Sequence, residues 1–174
     1  MNTLPVLLIV ASQGFQPIEY SVPKKILENK GIKVLTASNK PGTATDKDGK
    51  TTNVDVTTDQ VNVQDYAGIF VIGGPGALEN LDNETTYKII KKAAELKKPF
   101  GSICISTRIL AKAGVLEGKK VTGWDGDDEL TEILSKHKAI YIKEKCVIDG
   151  NIVTATDPSA AETFGQKISK ALGK

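Results

Sequence analysis

Short, uninterrupted apolar runs alternate along the chain with longer stretches in which apolar side chains recur at helical spacing. Residues 6–11 and 69–72 belong to the first kind, and 32–37 and 100–103 are mainly apolar runs of similar length. Runs of that length without alternation predict strands covered on both faces. Ile18, Val22, Ile26 and Leu27 share one face of a stretch reaching Lys30, and Gly31 ends it. Pro23 lies inside that helix and should kink or delay it. The spacing predicts further helices over 85–97, 106–113, 127–136 and 158–172. Residues 121–122 and 139–142 read as strands, and 146–154 as a hairpin turning at Asp149-Gly150-Asn151. Residues 39–66 are polar and turn-rich, with Pro41-Gly42, Asp48-Gly49 and alternating Val54 and Val56. They predict short antiparallel pieces on a sheet edge.

Strands alternating with helices imply an α/β domain, with a mainly parallel sheet and helices on both faces. The 174 residues are expected to form one domain, 1–174, long enough to bury its own core. In such sheets ligands sit beyond the carboxyl ends of the strands. The positions to inspect are therefore near Ser12, Gly73, Cys104 and Gly123.

Charge and composition narrow the function classes. A net charge of +2 gives no electrostatic reason to expect nucleic acid or an anionic membrane as partner. The lysines around 88–98 read as a solvated helix face. Two cysteines do not make a disulfide framework, so a reducing, cytoplasmic setting is expected. No basic segment precedes the run at 6–11, which is too short to cross a bilayer; it reads as a first strand and not as a signal peptide.

Chemistry concentrates at Gly101-Ser102-Ile103-Cys104-Ile105-Ser106. A buried strand ends there and a helix begins almost at once. So sharp a turn needs small residues two before and two after its apex, here Ser102 and Ser106. On that pattern alone a buried structural cysteine is an equally good reading. The helix start favours a reactive one, because free N–H groups and the dipole stabilise a thiolate and lower its pKa. Glu19, in the first turn of the first helix, reaches the same edge and could move a proton, or could be an ordinary helix-start acid. Gly73-Gly74-Pro75-Gly76 lacks both the dinucleotide spacing and a Walker lysine. It can be a plain turn, or a turn that aims N–H groups at Cys104 as an oxyanion hole. The sole histidine, His137, lies between two lysines at a helix end and reads as surface. Cys146 reads as a strand residue. Cys104, Cys146 and His137 have no metal-site spacing, so no metal and no cofactor are expected.

Five segments together resemble the ThiJ/PfpI family (the DJ-one/PfpI superfamily, akin to class I glutamine amidotransferases). They are Phe15-Gln16-Pro17-Ile18-Glu19, residues 70–76, 98–104, 110–122 and 147–155, set within a match running from Val6 to Leu172. The resemblance implies a flavodoxin-like three-layer sandwich. It implies that Cys104 is the reactive thiol, with Glu19 protonated and donating to the thiolate, and that the N–H groups of Gly74 and Ile105 are oxyanion donors. It also implies a homodimer, in which an acid such as Glu79 enters the neighbour's site.

The departures bear on activity. Ile105 stands where many relatives carry a histidine after the cysteine. In Thr122-Gly123-Trp124-Asp125, Trp124 holds a position where an aromatic or histidine is expected, and Asp125 one where proline is usual. Three readings follow. The first is a weak, cofactor-independent glyoxalase or deglycase acting on small α-oxoaldehydes, with Glu19 carrying the proton and Asp125 in a possible supporting role. The second is a non-enzymatic stress protein in which oxidants convert Cys104 to a sulfinate. The last is a cysteine peptidase or amidase, which most needs the absent histidine.

Overall fold

The computed structural model describes residues 4–174. The chain runs β1 (Val6–Val10), β2 (Gln13–Phe15), α1 (Pro17–Asn29), β3 (Val34–Ser38), β4 (Thr43–Asp46), β5 (Thr51–Asn53), β6 (Val56–Thr57) and β7 (Gly68–Val71). It continues through α2 (Ala77–Leu81), α3 (Glu84–Glu95), β8 (Phe100–Ile103), α4 (Thr107–Lys112), β9 (Lys120–Val121) and α5 (Leu130–Lys136). It ends with β10 (Ile140–Tyr141), β11 (Cys146–Asp149), β12 (Ile152–Ala155) and α6 (Ala161–Ala171).

Seven strands form one sheet in the order β11-β12-β8-β7-β1-β3-β6. Every pairing in it is parallel except β11 with β12. The residues of β1, β7, β8 and β12 are all buried, which is why these segments carry no charged side chain and show no exposed polar alternation. From β1 the chain crosses to β3 in one direction; from β7 it crosses to β8 in the other. Right-handed crossovers then put α1 and α3 on opposite faces. Helix α6 packs beside α1, and α4 between α3 and α5. The result is a flavodoxin-like three-layer sandwich, and among the described residues no helix is long and apolar enough to cross a membrane.

Two expectations change, and a third point concerns elements that were not expected. Helix α1 neither waits for Pro23 nor breaks at it. Pro17 opens the helix, Gln16 caps it by accepting the Ile18 N–H, and the buried stripe is Glu19, Tyr20, Pro23 and Leu27, whereas Ile18 is exposed. Pro23 deprives the Glu19 carbonyl of its helical donor. That loss is offset by burial against α6, where Gly165 leaves room: a Cβ there would stand 2.9 Å from the Pro23 Cα. Second, the segment 39–66 is only partly antiparallel. β4 and β5 pair antiparallel but join β2 in a separate three-stranded sheet, while β6 is a parallel edge strand of the main sheet. Third, α2 and β2 had no periodic signal, being too short to show one.

Candidate active site

Four loops converge at the carboxyl ends of β1, β7, β8 and β12. The loops after β1 and β7 interlock: Gln16 N–H donates to the Gly73 carbonyl at 3.0 Å, and Gly76 N–H to the Gly14 carbonyl at 3.0 Å. The interlock needs glycine. Gly74 has φ +119°, and a Cβ on it would lie 2.4 Å from the Gln16 nitrogen.

Cys104 follows β8 with φ +65°, a left-handed conformation that a non-glycine residue adopts at a cost. The residues beneath it hold the turn. Ser106 Oγ donates to the Ile72 carbonyl at 2.8 Å, and Ser102 and Thr107 share a hydroxyl hydrogen bond of 2.9 Å. Thr107 in turn donates to the Thr122 carbonyl, and Thr122 N–H to Thr154 Oγ1. This buried polar ladder ties the turn to the loop after β9 and to β12. Beyond the turn, Trp124 N–H donates to the Cys104 carbonyl at 3.2 Å.

Glu19 is fully buried beside the sulfur. Its Oε2 accepts from Gly73 N–H at 3.1 Å. A Cβ on Gly73 would lie 2.6 Å from both the Cys104 Cβ and Glu19 Oε2, so only glycine lets the two side chains meet. Burial pushes the Glu19 carboxyl up to about 7, with the Asp157 charge adding to it and hydrogen bonds from Cys104 and Gly73 opposing it. The thiol does not follow the simple expectation for a helix start. Burial, then an ionised Glu19, pushes Cys104 up to about 12, against the N–H groups of Ile105 and Gly74 that favour the thiolate. The helix start alone is therefore outweighed.

Glu19 Oε1 is buried and has no hydrogen-bond partner. As half of a buried carboxylate it would be an unsatisfied charged acceptor, which is costly. Protonation of the carboxyl removes that cost, in line with its raised pKa.

Cys104, Glu19, Gly74 and Ile105 line one cavity of about 310 Å³, with Gln16, Pro75, Trp124, Asp157 and Pro158 completing its walls. Asp157 was not among the sequence candidates. It was concealed because Asp-Pro reads as a helix start, although it follows β12 at the sheet edge where ligands bind. Asp125 does not line this cavity: its carboxylate accepts from Leu130 N–H at 2.7 Å and from the Thr131 hydroxyl, holding the start of α5. The supporting role expected for Asp125 is thus replaced by capping. Glu79 is exposed on α2 and lies outside the cavity, as does His137 at the end of α5. Cys146 is buried in β11, its thiol raised to about 11 by burial, with Lys167 opposing. Among the described residues no cluster of His, Cys, Asp and Glu could hold a metal ion.

Comparison with known proteins gives the same frame. The model of the DJ-1/PfpI family matches residues 5–171. An uncharacterised protein of Methanocaldococcus jannaschii is 35% identical over 175 residues, covering 100% of this chain and 85% of its own length. A protein named deglycase from Pyrococcus horikoshii is 31% identical over 171 residues, covering 97% of this chain and 99% of its own. The crystal structure of a ThiJ/PfpI domain protein from Brachyspira murdochii superposes with a TM-score of 0.93 at 29% identity, over 99% of this chain and 98% of that one.

Proposed function

Because the chain belongs to the DJ-1/PfpI family, we propose that it is a slow glyoxalase or deglycase, in which Cys104 attacks the aldehyde carbon of a small α-oxoaldehyde and Glu19 moves the protons. The observation that carries this reading is the pairing of Glu19 with Cys104 in a cavity walled mainly by apolar groups. Relatives named deglycases support it.

The chemistry runs as follows. The thiolate adds to the aldehyde carbon, a C–S bond forms, and the carbonyl oxygen becomes an alkoxide. The N–H groups of Gly74 and Ile105, which already face the sulfur, are at hand for that oxygen. Glu19 delivers its proton to the alkoxide and, as carboxylate, removes the proton from the former aldehyde carbon. Returning that proton to the neighbouring carbon, as the hydroxyl proton on the first carbon passes to the neighbouring oxygen, converts the hemithioacetal into a 2-hydroxy thioester. Water hydrolyses the thioester to the 2-hydroxy acid and regenerates the thiol. The sum is aldehyde plus water giving hydroxy acid, with no outside oxidant. One acid performs every proton transfer, where general acid–base groups each contribute roughly 10²–10⁴-fold, so slow turnover is expected.

The test is methylglyoxal consumption with lactate detection. The wild type should form lactate, and Cys104→Ala should fall to the buffer rate. Equal rates in both proteins would remove Cys104 from the reaction. A second reading is favoured by the same protonated Glu19 and N–H pair, which could also hold a sulfinate on Cys104. It gains if the wild type forms no lactate and peroxide adds oxygen to Cys104 alone.

A further inference from the structure

The cavity holds more than a nucleophile and an acid. Its walls beyond the reacting pair are Pro75, Ile105, Trp124 and Pro158, with Gln16 and Asp157. No lysine or arginine lines it. Its volume of about 310 Å³ exceeds what a three-carbon aldehyde fills, given that one water takes about 30 Å³ of liquid. A substrate that used this space would carry a larger apolar group.

Trp124 is the wall with the most specific support. The guanidinium of Arg108 lies over its ring, 5.6 Å from the centroid. Arg108 is itself buried and held by Asp127 and Glu129, the latter at 3.2 Å. Gly126 lies against the indole: a Cβ there would be 2.5 Å from its Cζ2. The backbone of Trp124 is tied to the Cys104 carbonyl. The ring is therefore fixed from several sides before any ligand arrives, and a fixed aromatic wall costs little entropy to bind against.

The opposite selection comes from charge. Asp157 accepts from Ser159 N–H at 2.8 Å. Although burial opposes ionisation, hydrogen bonds from Ser159 and Thr156 and the nearby Lys145 charge hold its carboxyl below the usual range. It is an anion at neutral pH, and the sulfur–Glu19 pair brings a second negative charge when it ionises. A carboxylate or phosphate entering this cavity would meet the like charge of Asp157, with no cation among the lining residues to offset it.

We propose that Trp124 and Asp157 set the substrate class: the cavity selects neutral α-oxoaldehydes bearing a flat apolar substituent, such as an aryl group, over short aliphatic ones, and excludes those bearing an anionic group. This rests on the reading of Cys104 as the attacking thiol, but the selection is a property of binding and can be measured without turnover.

The experiment is protection of Cys104 from iodoacetamide, read by mass spectrometry on the intact protein. The probes are three hydroxyketones that lack the aldehyde: 2-hydroxyacetophenone (aryl), hydroxyacetone (aliphatic) and hydroxypyruvate (carboxylate). At equal concentrations the aryl ketone should protect most, hydroxyacetone less, and hydroxypyruvate not at all. Trp124→Ala should cut the aryl advantage by roughly five-fold, the scale of one aromatic contact, while Trp124→Phe should keep most of it. Asp157→Asn should let hydroxypyruvate protect. Equal protection by all three probes, or an order unchanged in both Trp124→Ala and Asp157→Asn, overturns the inference. If the order holds but the wild type makes no lactate from methylglyoxal, the catalytic reading falls and the selectivity stands. If lactate forms and the order is flat, the selectivity falls alone.

Discussion

Cys104 and Glu19 titrate as one unit, and this has a consequence for stability that does not depend on which atom bears the charge. Unfolded, the two groups lose protons at 4.5 and 9.0; folded, at about 7 and about 12. From 4.5 to about 7 the folded chain therefore holds one proton more than the unfolded chain. A group whose folded pKa is raised contributes stability that is complete below the unfolded value and is lost as pH passes the folded one. The wild type should thus lose roughly 3 kcal/mol from this pair between pH 4.5 and pH 7.5, by the conversion of about 1.4 kcal/mol per pH unit. Glu19→Gln has no proton to lose there and keeps a polar group opposite the sulfur. Urea unfolding of both proteins under reducing conditions, at pH 4.5, 6 and 7.5, checks this. The difference between variant and wild type should grow in the variant's favour as pH rises. A difference that stays constant would mean that Glu19 is ionised at low pH like any surface acid.

The strands and helices differ in how plainly the sequence announced them, and the reason is burial. β1, β7 and β8 are covered on both faces, so their runs carry no charged side chain, and the Cys104 turn could be located from β8 alone. The small strands β2, β4, β5 and β6 have two to four residues each, half exposed, and their partners are set by tertiary contact. Glu19 was legible because α1 starts one loop after β1; Asp157 was not, because a helix-opening Asp-Pro has an adequate local explanation. Asp125 failed in the reverse sense: its side chain is spent on α5. Helix α1 shows how local rules yield to packing, since Pro23 stays helical against Gly165 of α6. This contact gives a prediction with two opposed magnitudes. Glycine inside a helix costs about 1 kcal/mol relative to alanine, so Gly165→Ala should stabilise an isolated α6. In the protein the added methyl would lie 2.9 Å from the Pro23 Cα and 2.9 Å from the Ile26 Cδ1. Overpacking against backbone costs about 1–3 kcal/mol. The expected net is a loss of about 1 kcal/mol in the urea midpoint analysis. A gain would show that α1 shifts freely on α6, and with it the position of Glu19.

At the scale of the molecule, sheet polarity decides which side chains can meet. Cys104, Glu19, Trp124 and Asp157 all follow strands and gather at carboxyl ends. α5 runs the other way, returning the chain from the loop after β9 to the start of β10. β9 and β10 are parallel, with Lys120 opposite Ile140, so His137 sits just before the amino end of β10 while Trp124 lies beyond the carboxyl end of β9. The sole histidine of the chain is thereby held at the end of the fold remote from the thiol. Peptide hydrolysis requires a proton for a poor amine leaving group, and in cysteine hydrolases an imidazole beside the nucleophile supplies it. Addition of a thiolate to an aldehyde expels nothing and has no such requirement. Cleavage of fluorogenic peptides should therefore be indistinguishable between the wild type and Cys104→Ala, under conditions where methylglyoxal turnover separates them. Introducing the base at the only wall position adjoining the sulfur in sequence, Ile105→His, should raise lactate formation, because an acid–base group in reach is worth roughly 10²–10⁴-fold when well placed. Strong peptidase activity in the wild type, lost in Cys104→Ala, would require a proton donor in this cavity other than an imidazole of the same chain.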